Sequence, residues 1–418
     1  MHGALAFILP IAAATTAACP PHVDWKSLSL ESTLEPGQEV DVHVGRALFT
    51  PKEATALTRL AKSAAAQFDT RPDSTDGRPT FELHARLHGA VVAPKLWARV
   101  QTRVDSCLTP FVRDKFDCPS CVACTSLVRR YAPHERVIVN AHRDATSRVT
   151  VVVELQTAAP AHPEGSGLYI KQQDSTTEAM YPTLTPGDAF AHSYDLLHGV
   201  YVRCDEGGDH TAAALNACTR FSLIVWYHDS DEQCAANAPV SGYSAMLRRS
   251  ADAGVPEGHY ELGKLLLGGT RNRRGDGGTS NATEAVRHLS FAADANHSGA
   301  ALLLGEVLRD GVGDALPPSL ADAERWLERS LELGHNRAGT QLAALIRARG
   351  DAGAAGAERV EKLLRHAAER DDVEAQRELG QLLLLRAGSS FRSEAGLWLR
   401  KAGAAGDDDA RRMLRDEL

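Results

Sequence analysis

Between residues 136 and 228 the chain is written in short apolar or alternating runs divided by Gly, Pro and Asp. Residues 136–140, 148–155, 167–171, 189–193, 198–203 and 220–228 have the length and β-branched content of strands. Upstream the period lengthens. Thr50-Pro51-Lys52-Glu53 is a capping box with proline at the first helical position, predicting a helix to about Phe68; residues 93–104 predict a second. Helices followed by several strands of this size predict an antiparallel jelly-roll with helices packed outside it.

From about residue 242 the pattern becomes helical and repeats itself. Leu262-Gly263, Leu304-Gly305, Leu342-Ala343 and Leu379-Gly380 recur at spacings of 42, 38 and 37 residues, each followed by a second helical stretch. Self-similarity at this period marks a helix-turn-helix solenoid, and the small residues let the two helices of a hairpin approach closely. Four units are predicted, the last truncated as a cap. The chain is therefore a multidomain α+β protein: a double-stranded β-helix (jelly-roll) domain with flanking helices over residues 19–235, then an all-α helical-repeat solenoid over 242–418. The repeats resemble the Sel-one-like family, relatives of tetratricopeptide repeats, which implies a protein partner or a role in organising a complex.

Net charge is -8, so nucleic-acid binding has no electrostatic footprint. No apolar stretch reaches the ~20 residues that a membrane-spanning helix needs. The small-residue, apolar stretch from Ala4 to Ala18 predicts a secretory signal over residues 1–18, although its leading region carries His2 and no Lys or Arg. Thr16-Ala17-Ala18-Cys19 also reads as a lipoprotein box, but one without the usual leading aliphatic residue. Arg415-Asp416-Glu417-Leu418 is one residue away from the lumenal retrieval signal. Together the two ends predict the endoplasmic-reticulum lumen. All eight cysteines precede residue 235, which suits an oxidising compartment. Asn281 and Asn296 are glycosylation acceptors there.

The chemistry is carried by histidine and carboxylate. Oxygen activation at non-haem iron needs two imidazoles and one carboxylate on one face of the metal, leaving three positions open. His142-Arg143-Asp144 offers two such ligands between two predicted strands. A second His-x-Asp, His22-Val23-Asp24, lacks that setting. Downstream come Pro186-Gly187-Asp188, His192, Leu197-His198-Gly199-Val200 and the run from Arg220 to Trp226.

This ordered series, over residues 127–228, resembles the catalytic domain of prolyl 4-hydroxylases. The resemblance implies Fe(II), 2-oxoglutarate as co-substrate, ascorbate, and a proline-containing polypeptide substrate. It implies His142, Asp144 and His198 as metal ligands, with His198 preferred over His192 for its Gly-Val continuation. Arg220 would grip the distal carboxylate of 2-oxoglutarate, Tyr131 would donate to the same acid, and Ser222 would assist. A guanidinium suits that task because its planar fork matches a carboxylate. Many members carry Lys where this chain has Arg220, and the interval from His198 to Arg220 holds an insert around residues 205–216.

Cys204 and Cys218 bracket that insert, and a disulfide between them is expected in an oxidising lumen. Cys118, Cys121 and Cys124 could hold zinc with His134 as a fourth ligand, but disulfides with Cys107 or other cysteines are preferred. Substrate choice would lie in loops such as residues 157–166 and 174–185. The same iron chemistry on another residue or a small molecule, and a non-catalytic repeat adaptor, are the competing functions.

Overall fold

The computed structural model describes residues 19, 23–63, 66–70, 80–132, 138–157, 166–171, 179–202, 218–271, 279–313, 315–335, 337–350, 353–370, 372–386, 388–405 and 407–417. The strands are β1 (Asp24–Leu28), β2 (Val42–Arg46), β3 (Glu82–Leu87), β4 (Ala90–Val91), β5 (Val122–Tyr131), β6 (Ile138–His142), β7 (Val149–Gln156), β8 (Gly167–Ile170), β9 (Ala189–Ser193), β10 (His198–Tyr201) and β11 (Arg220–His228). They form two antiparallel sheets. One has the order β1-β2-β9-β7-β11-β5-β3-β4, the other β6-β10-β8.

Three helices cover the outer face of the larger sheet: α1 (Pro51–Ala61), α2 (Pro94–Arg103) and α3 (Thr109–Lys115), with a π-helical turn at Val104–Leu108 joining the last two. At the start of α1 the Thr50 side chain accepts from the Glu53 N–H, and Glu53 accepts in return from the Thr50 N–H. The helix ends at Ala61 rather than near Phe68. There the Ser63 hydroxyl and N–H both bond back to the Leu60 carbonyl, closing the last turn.

Strand alternation sorts the larger sheet into two faces. On β11, Phe221, Leu223, Val225 and Tyr227 join Leu57, Trp97, Val100 and Val112 in the core under the helices. The opposite face of the sheet and the three-stranded sheet enclose a second apolar cluster with Tyr131, Val139, Leu168, Ile170, Phe190 and Val200. Each fully buried large side chain in these cores contributes about 1.5–3 kcal/mol. Arg220 and Ser222 lie on this second face.

The chain then turns helical: α4 (Asp231–Ala236), α5 (Tyr243–Asp252), α6 (Pro256–Arg271), α7 (Thr279–Asp294), α8 (Ser298–Asp310), α9 (Leu320–Glu332), α10 (Ala338–Ala348), α11 (Ala354–Ala368), α12 (Val373–Leu384), α13 (Ser389–Ala404) and α14 (Asp408–Glu417). The repeat glycines allow close packing between paired helices. A Cβ on Gly263 would lie 2.8 Å from Leu289, and one on Gly305 or Gly380 would lie 2.7 Å from Leu327 or Leu399. The fourth unit is not truncated. It has both of its helices, and α14 follows as an additional one. No helix among the described residues is long and apolar enough to cross a membrane.

Several expectations need correction or lie elsewhere. β1, β2, β3, β4 and β5 add strands before residue 136, and β6 runs on through His142. The zinc reading fails because Cys118 pairs with Cys121 and Cys124 with Cys234. Cys107 joins neither bond. Buried beside Cys19, its thiol is pushed up to about 12. Cys218 is disulfide-bonded, whereas Cys204, His134, the insert at 205–216, residues 1–18 and Leu418 lie outside the described residues. The same holds for residues 158–165 and 174–178 of the loops at 157–166 and 174–185.

Candidate metal centre

The two imidazoles come from directly opposed positions on neighbouring strands: His198 of β10 pairs with His142 of β6. Gly199 permits the local shift in register that follows. A Cβ there would fall 2.6 Å from the Val139 carbonyl and 2.5 Å from the Tyr169 ring. Asp144 sits on the turn after β6, where its carboxylate accepts from the Thr150 hydroxyl of β7. One ligand atom from each of His142, Asp144 and His198 lies within 4.8 Å of the others, a set that could hold a metal ion.

The electrostatics suit a cation. His142 Nε2 is 3.6 Å from one Asp144 oxygen, and His198 Nε2 is 3.8 Å from the other. Burial pushes the Asp144 carboxyl up, but His198 and then His142 outweigh it and hold the group well below the usual carboxylate range. Burial, reinforced by His192, lowers His198 well below the ordinary imidazole value. His198 Nδ1 lies 3.2 Å from the Leu196 carbonyl. A proton on Nδ1 leaves the Nε2 lone pair facing Asp144, the usual tautomer of a metal-binding imidazole. The His192 ring lies tilted by 56° against His198 with centroids 4.2 Å apart, but it is not part of the convergent set.

A cavity adjoins the cluster, lined among others by Tyr131, Thr150, Arg220, Ile224 and Trp226. Arg220 and Tyr131 are directly opposed on β11 and β5, with the guanidinium 5.4 Å from the ring centroid. Arg220 gives Nε and Nη2 to one oxygen of Glu154, at 3.1 and 2.7 Å. Its Nη1 is buried with no hydrogen-bond partner among the described residues, as is the Ser222 hydroxyl. Buried donors without acceptors are costly, so this end of the site is suited to an acidic ligand. The resulting donor set fits Fe(II) and a 2-oxo acid: imidazoles and a carboxylate for the metal, a guanidinium N–H and a hydroxyl for the acid.

The sequence reading missed Glu154, Thr150 and Arg143. A charged residue inside Val151-Val152-Val153-Glu154-Leu155 was the available signal, since a carboxylate in so apolar a strand demands a buried partner. Glu154 also takes part in the Pro186-Gly187-Asp188 turn, where its carbonyl accepts from Gly187 N–H and its N–H donates to the Asp188 carbonyl. Gly187, at φ +102°, approaches the Phe49 carbonyl so closely that a Cβ would fall 2.0 Å from its oxygen. The Asp188 carboxylate binds Arg46, the Ala47 N–H and Thr185. That turn thus braces the residue that holds Arg220.

No protein-family model and no curated protein matches the sequence. Solved structures are similar over parts of it. A protective antigen of uropathogenic Escherichia coli displaying an SLR fold is 27% identical with a TM-score of 0.36, covering 41% of this chain and 35% of its own. The chain thus spans about a third of that antigen's length. A Sel1 repeat protein from Oxalobacter formigenes is 22% identical with a TM-score of 0.34, covering 41% and 67%. HygX from Streptomyces hygroscopicus, solved with nickel and 2-oxoglutarate bound, is 12% identical with a TM-score of 0.32, covering 44% and 82%.

Proposed function

We propose that this chain is an Fe(II)- and 2-oxoglutarate-dependent dioxygenase that hydroxylates peptidyl proline in proteins of the secretory pathway. One observation carries the iron reading: His142, Asp144 and His198 converge beside a buried guanidinium that retains an N–H unpartnered among the described residues. Two antiparallel sheets support a double-stranded β-helix, because β6, β8 and β10 share an apolar cluster with β2, β5 and β9 of the larger sheet. Proline as the target, ascorbate as the reductant and the endoplasmic-reticulum lumen as the location come from the sequence resemblance and from the two ends of the chain. The helical repeats would hold a protein partner.

When bound, Fe(II) with 2-oxoglutarate supplies the O2 chemistry, oxidative decarboxylation coupled to C–H hydroxylation. The chain's own part is to bind and orient. His142, Asp144 and His198 would hold the metal, burial keeps His198 neutral, and Thr150 holds the Asp144 carboxylate in place. Arg220, kept in position by Glu154, would offer Nη1 to the far carboxylate of the co-substrate, with the Ser222 hydroxyl as a helper. Tyr131 and the apolar residues around the cavity exclude water.

The test is anaerobic loading with Fe(II) and 2-oxoglutarate, then addition of O2 with proline-rich peptides. Succinate together with hydroxyproline is the expected result. Succinate without peptide hydroxylation would move the substrate to another residue or a small molecule. No metal binding would leave the repeat adaptor as the better reading.

A further inference from the structure

Between the two proposed ligands of the His-x-Asp motif stands a residue that points away from the metal. The Arg143 side chain is 1% exposed, and it reaches into the first helix of the repeat array. Its Nη1 bonds Glu257 at 2.6 Å and Glu261 at 3.1 Å, both on α6. Its Nε donates to the Asp195 carbonyl at 3.1 Å, three residues before His198, and Nη2 donates to the Thr33 hydroxyl. One guanidinium therefore ties together the turn bearing His142 and Asp144, the turn leading into His198, and the repeats.

The surroundings reinforce that tie. The Ala145 carbonyl accepts from the Val240 N–H at 2.9 Å. Ala145 and Tyr194 pack into the same apolar cluster as Tyr243, Met246 and Leu247 of α5 and Leu262 of α6. Glu257 is fastened in turn by His297, at 2.8 Å, at the start of the next repeat unit. Glu261 is bonded as well by Lys264 at 2.9 Å, so the two carboxylates and the buried guanidinium between them form a hydrogen-bonded network whose value lies in orientation more than in net stability.

We propose that Arg143 is a positioning residue for the metal centre, fastening both ligand-bearing turns to α6, so that the first helical repeat is a working part of the site. This rests on reading His142, Asp144 and His198 as the metal ligands. It extends that reading by giving the repeats a role inside the enzyme as well as toward a partner.

The experiment uses the full chain, with Co(II) as the metal probe and hydrogen exchange as a readout that needs no metal. Arg143→Met alone would leave Glu257 to His297 and Glu261 to Lys264, so the informative variant combines R143M with E257Q and E261Q, in which the part-exposed Lys264 ammonium turns to solvent and His297 keeps an amide partner. The expected result is a Co(II) dissociation constant about 10–100-fold higher, the range for outer-shell partners of metal ligands. The d–d spectrum should shift, and amide exchange over residues 138–147 and 193–199 should rise about tenfold. Arg143→Lys should fall between, because one ammonium cannot reach the carboxylates, the Asp195 carbonyl and Thr33 together. Exchange and Co(II) binding both unchanged in the triple variant would overturn the proposal. If the parent chain binds no Co(II) but exchange rises as described, the metal reading falls and the fastening by Arg143 stands.

Discussion

The two-sheet region and the repeat array solve opposite problems of placement. In the repeats, residues that touch lie on consecutive helices, and Gly263, Gly305 and Gly380 meet Leu289, Leu327 and Leu399 of the paired helix in the same way, 26, 22 and 19 positions on. In the sheets, the groups that matter are far apart along the chain and meet only through register, as His142 meets His198 and Tyr131 meets Arg220. The repeat region thus carries its architecture in local periodicity. The sheet region carries its chemistry in non-local pairing, and a single residue of slippage would turn a ligand to the wrong face.

That contrast can be broken most severely at the metal. His198→Ala or Asp144→Ala should lose Fe(II) affinity by more than about 100-fold, the upper range for outer-shell partners, with the helical content by circular dichroism unchanged. Next in size is Arg220, the proposed anchor of the co-substrate. Arg220→Ala should cost about 3–5 kcal/mol in denaturant unfolding, because Glu154 is left as a buried, unpaired carboxylate. Arg220→Lys keeps the charge and should instead show up as weaker 2-oxoglutarate binding.

Covalent ties sharpen the same comparison. Removing Cys124–Cys234, which spans 110 residues and joins β5 to α4, should cost about 4–5 kcal/mol by loop entropy. Removing Cys118–Cys121, with a separation of 3, should cost about 2 kcal/mol. Chemical denaturation of the two double-serine variants separates them. Within the array, Gly305→Ala should cost about 1–3 kcal/mol through overpacking against Leu327.

A smaller effect comes from acid. Burial works against ionisation of Glu82 and Glu257, yet His84 and Arg129 hold the former at about 2, and Arg143 and His297 hold the latter at about 2. Because the folded values lie below the ordinary 4.5, each group's contribution is fully present above that value. It is lost as pH falls from there through about 2. The thermal midpoint should therefore drop across that window, and Glu82→Gln should flatten the slope.

Much of this was legible beforehand, for reasons visible in individual residues. The repeats announced themselves through Leu-Gly pairs at a steady interval. The boundaries of β9 and β11 followed from apolar runs closed by polar residues. β5 was missed because Val122–Tyr131 contains Cys124, Thr125, Ser126, Arg129 and Arg130, a polar content that hides a buried central strand. The helix expected to reach Phe68 stopped at Ala61, since alanine-rich composition does not reveal where a serine will close the turn. The proposed ligands could be picked out by order and spacing. Glu154 and Arg143 could not, because their importance depends on partners 66 and 114 residues away.

The account's central claim is tested most directly by anaerobic titration of the full chain with Fe(II) in the presence of 2-oxoglutarate, run in parallel on His198→Ala. It predicts one equivalent of metal bound, with the visible charge-transfer absorption of a chelated 2-oxo acid, and the loss of both in the variant. Absence of binding in the parent chain, or binding that the variant leaves untouched, would contradict it.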